Sequence, residues 1–416
     1  MEKVTIEKLV FGGQGLARKD GRVYFVWNAL PGEEVEVEIT KKKKNFCEGI
    51  ARKIIKASPL RVEPKEAHFL ACSPWQIMSF DSENDWKKKI ALETYLRFRA
   101  LDKEQNIEIE AGDKDYGYRN KIEYRALYAD GQLKLAFYGR ETNQLFELNN
   151  CLLAKNELNK TAADVLMFLN ENKVKAEDIL SLIIKSNKQS QVLVKLNLAK
   201  NIELKSFPTI DETIVGFHVV SPEQKIYSEG LDYLEDRVNN VTLRYGLDSF
   251  FQVNVPVFSK AIDDMAGFID KKDEVIDYYS GVGAIGLSLH DQFAKCLLID
   301  SNAEAAKFCA DNIEINKIVN CETRLVSSEK ATQYMKQDSV VIFDPPRAGL
   351  EKSIIDDILD YQPKKIMYLS CDIATQARDL ALLKSKYQMN FLKIYNFFPR
   401  TPHIEGLVVL EKYNNW

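Results

Sequence analysis

Four short stretches of this chain carry residues whose types and spacing could do chemistry. The first is Asp277-Tyr278-Tyr279-Ser280-Gly281-Val282-Gly283-Ala284-Ile285-Gly286. Gly281, Gly283 and Gly286 give a G-x-G-x-x-G spacing, which lets backbone pass close to a ligand, and a helix opening there would offer unpaired N–H groups. Such a turn fits NAD, a nucleotide or S-adenosylmethionine alike. Asp300 follows Gly281 by 19 residues, and an acid at that separation can accept hydrogen bonds from ribose hydroxyls. Together the two point to an adenosine-type site; a plain glycine turn with a helix-capping acid is the simpler alternative. The second stretch is Asp344-Pro345-Pro346-Arg347-Ala348-Gly349. Its prolines stiffen the backbone and remove two donors, so the loop can position groups near a ligand. The third is Ser370-Cys371-Asp372. A lone cysteine is commonly a buried apolar residue, but one that precedes a helix has a positive helix end to favour its thiolate, which makes Cys371 a candidate nucleophile. The fourth stretch runs from Phe397 to Glu405. His403 and Glu405, two apart, point the same way on an extended chain, and either could serve as a base.

These groups matter together only if the elements around them align. From about residue 255 the pattern alternates between strands and helices. Strands are expected at 274–278, 295–300, 339–343 and 366–370, with helices to about 290, over 302–316 and after 371, and final strands at 391–397 and 407–410. Such alternation predicts an α/β domain with a largely parallel sheet, whose ligands lie beyond the carboxyl ends of the strands. Asp277, Asp300, Asp344 and Cys371 all fall at such ends. This assigns residues 251–416 to a Rossmann-like catalytic domain. Residues 1–56 read as a small β-barrel: strand-like segments at 22–26, 34–39 and 48–55 are punctuated by the Pro31-Gly32 turn. Gly12-Gly13-Gln14-Gly15 would be a tight loop able to approach a phosphate, though a simple turn is the plainer reading. Residues 57–250 read as a central α+β domain, with helices at 81–101 and 155–171 and strands over 119–148, 180–199 and 213–228. Turns are expected at Asp130-Gly131 and Glu141-Thr142-Asn143.

Bulk properties narrow the class. At 416 residues, with 45% apolar and 28% charged residues, the chain can form two or three soluble domains. No apolar run reaches the ~20 residues that span a bilayer, and the start of the chain lacks signal-peptide character. A cytoplasmic protein without membrane contact is expected. Seven cysteines in irregular positions, with no C-x-x-C pair, support neither a disulfide framework nor a zinc ribbon. A net charge of −4 argues mildly against nucleic acid. The lysine clusters at 41–44 and 87–89 could reverse that locally, or could be solvated faces.

The motifs as an ordered set resemble the RNA uracil-5-methyltransferase family. The matching segments are Ser249-Phe250-Phe251-Gln252-Val253-Asn254, the 277–286 turn, the 344–349 loop, Tyr368-Leu369-Ser370-Cys371-Asp372-Ile373-Ala374-Thr375 with Arg378-Asp379, and Phe398-Pro399-Arg400-Thr401-Pro402-His403-Ile404-Glu405. The barrel is similar to that family's RNA-binding TRAM domain. The resemblance implies S-adenosylmethionine as methyl donor, held by Gln252, Tyr279, Asp300 and Asp344 with Gly281 and Gly283. It implies Cys371 as the nucleophile toward uracil carbon 6, Glu405 as the base, and RNA as the partner of a monomeric enzyme. Ribosomal RNA is favoured over transfer RNA because of the barrel. Many family members also carry four cysteines for an iron–sulfur cluster, beginning with Cys-x5-Cys-Gly-Gly-Cys. Here the stretch reads His68-Phe69-Leu70-Ala71-Cys72-Ser73-Pro74-Trp75-Gln76. Cys72 and Cys151 match two ligands and Trp75 replaces a third, so no iron–sulfur cluster and no metal is expected. Ala284 stands where some members carry a cofactor-contacting Asn. The competing readings are a catalytically silent RNA-binding protein of the same fold, a cytosine-5 methyltransferase, and a dehydrogenase. The last would leave the proline loop and strand-end cysteine without purpose.

Overall fold

Alternation of side chains along the strand Glu34–Lys42 buries Val35 and Val37 and turns their glutamate neighbours outward, the pattern of a strand with one face on a core. The computed structural model describes residues 1–140 and 144–413, and in it this strand is the second of a six-stranded N-terminal sheet. The run from Glu2 to Leu9 pairs at its start with Glu34–Lys42 and at its end with Gly15–Lys19. One continuous run therefore joins both edges and closes the sheet as a barrel, around Val4, Ala17, Val26, Val37 and Ala51. The expected strands are present and longer, at Arg22–Trp27 and Phe46–Lys56.

Residues 121–230 form a seven-stranded sheet, with the helix Asn156–Glu171 burying Leu158, Val165 and Leu169 toward it. The hairpin turn at Asp130-Gly131 is present, both residues at positive φ. The turn expected at Glu141-Thr142-Asn143 lies outside the described residues.

The catalytic sheet has eight strands, in the spatial order Cys321–Leu325, Lys295–Asp300, Glu274–Tyr278, Val340–Phe343, Lys365–Ser370, Glu405–Lys412, Tyr387–Tyr395 and Glu108–Glu110. The first five run parallel, while Glu405–Lys412 is antiparallel to both of its neighbours. Two apolar clusters cover the faces: one centred on Ile262, Leu298, Ile342 and Leu407, the other on Ile276, Val341, Ile366 and Val408. The helix expected over 81–101 runs from Phe80 to Arg97 and stops there because Arg99 turns to φ 62°. It buries Ile90, Ala91 and Tyr95 in the second cluster. This helix and the edge strand Glu108–Glu110 lie within 57–250 by number but pack as part of the catalytic sheet. The helix after the glycine turn is short, Ala284–Ser288, followed by a single 3₁₀ turn at His290–Gln292. Among the described residues no helix is long and apolar enough to cross a membrane.

The barrel does not hang free. Gly13, at φ +96°, packs so closely on Pro402 that a Cβ there would sit 2.3 Å from the proline Cβ. The loop read as a plain turn is thus a docking contact. Trp75 locks the same junction: its Nε1 donates to Gly13 O at 3.0 Å, and its backbone N donates to Arg400 O at 3.1 Å. Gly13→Ala adds both a clash and a strained φ. It is expected to cost about 1–3 kcal/mol, seen as a thermal midpoint lowered by several degrees. An unshifted midpoint would contradict the docking.

Candidate active site

The parallel strands bring their carboxyl ends to one edge, and the register sets which groups are level. Tyr278 pairs with Phe343 and with Ile299, so Tyr279, Asp344 and Asp300 follow side by side. Ser370 pairs with Gly406. Because Glu405–Lys412 runs the other way, its first residue lies across from the residue after Ser370. Cys371 and Glu405 therefore meet although one ends its strand and the other begins it.

Around the glycine turn, Tyr279 adopts φ 60°, an unusual conformation for a side chain of this size. Gly281 N donates to Asp300 Oδ2 at 2.8 Å, and Asn302 N to its Oδ1 at 2.7 Å. Asp300 braces the turn and retains one lone pair per oxygen for a ligand. Gly283, at φ +87°, has no room for a Cβ, which would press on Leu287 and on Cys309 Sγ. A cavity opens here between Gln252, Tyr279, Gly281 and Asp344, with apolar walls from Phe251, Phe258 and Ile285. Ser280 Oγ is buried beside it without a hydrogen-bond partner among the described residues. Gln252 is held by its carbonyl, which accepts from Asn120 Nδ2 at 2.9 Å. Phe251 stacks on Tyr245 at 4.0 Å, while Phe250 stays exposed at the rim. Asp277, although at a strand end, does not line this cavity; its Oδ2 accepts Gly286 N at 2.9 Å. Burial, with Asp344 and Asp300 nearby, pushes its carboxyl up to about 8.

The surroundings of Cys371 correct one expectation. The helix after Cys371, Ile373–Leu383, is capped by Asp372, whose Oδ1 accepts from Ala374 N and Thr375 N, both at 3.0 Å. The positive helix end is spent on that carboxylate rather than on the thiol. Burial, then the Glu405 and Asp344 carboxyls, push Cys371 up to about 12. Glu405 is itself raised well above the usual carboxyl range by burial and by Asp344, with Arg347 opposing. Asp344 rises to about 7 through burial. His403 stays neutral, pushed down to about 3 by burial and by Arg347 and other cations.

A network absent from the sequence reading holds the loop before Glu405. Glu83 accepts Arg400 N through both oxygens, at 3.0 and 2.9 Å. Lys87 donates to Asn396 Oδ1 at 2.6 Å and pairs with Glu83 at 3.0 Å. Arg400, at φ 64°, also pairs with Asp115 and donates to Met78 O at 2.7 Å. Lys87 is thus fully buried and cannot join an RNA-binding lysine patch, unlike Lys41 to Lys44, which are exposed on the barrel. On the other side of Glu405, Gln376 Nε2 donates to Gly406 O at 2.9 Å and to Tyr368 O at 2.7 Å, and Tyr95 OH donates to Gln376 Oε1. The i,i+4 spacing of Glu83 and Lys87 was the sole sequence signal for the network.

The stretch that aligns with the cluster-binding cysteines has mixed donors. Cys72 and Cys151 touch, but the remaining close donors are His68 and Glu66, and Trp75 is committed to Gly13. Cys47 lies in the barrel core, and Cys296 and Cys309 in the catalytic core. A four-thiolate shell does not fit these residues.

Comparison with known proteins shows the family and the fold. The family model described as tRNA (uracil-5-)-methyltransferase matches residues 82–413, and the TRAM domain model matches residues 2–51. An uncharacterised RNA methyltransferase of Fusobacterium nucleatum is 29% identical, with 99% of this chain and 95% of that protein covered. One from Prochlorococcus marinus is 30% identical over 92% of this chain and 99% of its own length. The crystal structure of Pyrococcus abyssi tRNA (uracil-54, C5)-methyltransferase in complex with S-adenosyl-L-homocysteine superposes with a TM-score of 0.78 at 22% identity, covering 98% of this chain and 100% of that one, which shows the shared fold. With a methyltransferase sheet behind a TRAM barrel and a family match over most of its length, this chain belongs to the tRNA (uracil-5-)-methyltransferase family.

Proposed function

We propose that this protein methylates carbon 5 of a uridine in RNA, with S-adenosylmethionine as donor, through a covalent bond between Cys371 and uracil carbon 6. The observation that carries this reading is the pairing of Ser370 with Gly406, which sets a thiol and a carboxyl across from each other beside Asp344. The cavity between Gln252, Tyr279, Gly281 and Asp344 suits the donor: apolar walls for an adenine, the unpartnered Ser280 hydroxyl, and an acid for a positively charged group. When bound, S-adenosylmethionine supplies an electrophilic methyl group on a sulfonium. Gln252, Tyr279, Asp300 and Asp344, with the backbone of Gly281 and Gly283, are the residues to hold it.

Carbon 5 of uracil is a poor nucleophile. Cys371 Sγ, after releasing its proton to solvent, adds to carbon 6, and the C5=C6 electron pair shifts toward the carbonyl at carbon 4. Carbon 5 then takes the methyl group while still carrying its hydrogen, and the donor's methyl–sulfur bond breaks with its electron pair left on the departing thioether. The Glu405 carboxylate removes that proton, the electron pair re-forms C5=C6, and Cys371 leaves as thiolate. His403, held neutral and weakly basic, is the poorer base of the two. The target base must leave its stack to reach Cys371, at a cost of a few kcal/mol.

Both Cys371 and Glu405 act deprotonated and both titrate above their ordinary values. The sign follows: kcat/KM, which reports the free enzyme, should rise with pH through the neutral and alkaline range. A cation seated against Asp344 relieves the repulsion on both groups, so kcat at saturating donor should reach its plateau at lower pH. A flat profile for both constants would contradict these surroundings.

The barrel favours ribosomal RNA as substrate; the transfer RNA in the name of the Pyrococcus protein is the competing outcome. The test is methyl transfer from labelled S-adenosylmethionine to unmodified total RNA, with nucleoside analysis and sizing of the labelled RNA. Label in 5-methyluridine supports the reading, and label in 5-methylcytidine refutes it. Donor binding without label in any RNA favours a silent RNA-binding protein.

A further inference from the structure

At the junction of barrel and central sheet, four side chains of metal-ligand type converge away from the catalytic edge. One donor atom each from Glu66, His68 and Cys72 lie within 4.8 Å of one another. Cys151, fully buried, lies beside both Cys72 and His68. Glu66 precedes Cys72 by six residues, so it stands where a Cys-x5-Cys stretch has its first cysteine. His68 Nε2 lies 3.3 Å from Glu66 Oε1 yet is buried without a properly directed hydrogen bond. A buried ring nitrogen left without a partner is uncommon unless something else engages it.

We infer that Glu66, His68, Cys72 and Cys151 form a site for one thiophilic divalent cation, of the zinc type. Two sulfurs, one imidazole nitrogen and one carboxylate oxygen make a four-donor set suited to a tetrahedral ion, and too poor in sulfur for an iron–sulfur cluster. Charge also fits. Two thiolates and a carboxylate carry −3, and a divalent ion leaves −1. The Arg119 guanidinium, close enough to act on both thiols, offsets it. Both thiol protons leave to solvent as the ion enters, as does the second proton of a charged His68 ring. Access exists, because His68 also lines a surface cavity with Trp27, Ile50 and Ala71. The rest of the donor sphere is already oriented: Glu66 accepts from Leu152 N at 2.6 Å and from Gln76 Nε2 at 2.5 Å. An ion here would tie Cys151 to residues 66–72, whose last member, Cys72, lies three residues ahead of the tryptophan that pins the barrel to the loop at Arg400.

The experiment uses the full chain, stripped with a chelator under reducing conditions and titrated with Co²⁺. A single equivalent is expected to give intense visible d–d bands of a tetrahedral ion and a thiolate-to-cobalt charge-transfer band, both displaced by Zn²⁺. His68→Gln should weaken Co²⁺ binding by about tenfold or more, and the Cys72→Ser/Cys151→Ser double variant should lose the charge-transfer band. If that double variant fails to fold, the wild-type spectrum alone decides. Absence of the charge-transfer band in wild-type protein overturns the site, as does iron with inorganic sulfide in anaerobically purified protein. Neither readout depends on methyl transfer, so the site and the proposed reaction fail independently.

Discussion

Cys371→Ala is expected to lower methyl transfer by about 10⁴-fold or more while leaving donor binding within a fewfold of wild type. The size follows from the chemistry: without addition at carbon 6, carbon 5 has no route to nucleophilic character, and the whole covalent step is lost rather than weakened. Donor binding is spared because the cavity at Tyr279, Gly281 and Gln252 does not include the thiol. Folding should be spared as well, since Cys371 is only partly buried and no hydrogen bond in the neighbouring cap needs its sulfur. The measurement is single-turnover methyl transfer beside calorimetric titration with S-adenosylmethionine. Turnover within tenfold of wild type would remove Cys371 from the mechanism, and lost donor binding would mean that the substitution disturbed the fold.

Glu405→Gln produces a different signature. Addition and methyl capture precede the step that needs the carboxylate, so the variant is expected to stall with RNA still bonded to Cys371. Turnover should fall by about 10²–10⁴-fold, and a protein–RNA species carrying labelled methyl should persist through denaturing electrophoresis. The amide can occupy the same place: Glu405 is buried at the start of its strand, and its neighbour Gly406 stays anchored by Gln376 at 2.9 Å. Normal turnover in Glu405→Gln would discard the assignment. Loss of turnover with no adduct would move Glu405 to an earlier step.

The strand-end groups were legible because a parallel sheet announces itself: short apolar runs, each followed by a glycine, proline or capping residue, fix where Asp300, Asp344 and Cys371 must fall. What could not be read was how local hydrogen bonds are shared out. The helix end looked available to the Cys371 thiolate, and Asp372 instead takes it for itself. Lys87 looked like a surface charge because its partners Asn396 and Phe398 O lie more than 300 residues further along the chain. Glu66 and His68 carry no signal in a pattern defined by cysteine alone, because a mixed donor set shares no single residue type. The glycine loop of the barrel was legible as a turn, but its contact with Pro402 depends on the docking of two distant segments.

The position of strand Glu405–Lys412 has a consequence for how the protein comes into being. It follows all the other strands of its sheet in the chain, yet it lies in the interior, between Lys365–Ser370 and Tyr387–Tyr395. During synthesis every other strand of that sheet emerges first, with a gap at its centre and two unsatisfied edges facing it. With the roles proposed above, Glu405 reaches Cys371 only when this strand fills the gap. A nascent chain could then fold its barrel and much of its sheet before the proposed thiol–carboxyl pair exists. That same waiting slot is where a neighbouring chain's strand could lodge by mistake, so aggregation during production should fall when synthesis past residue 405 is fast relative to chain encounter.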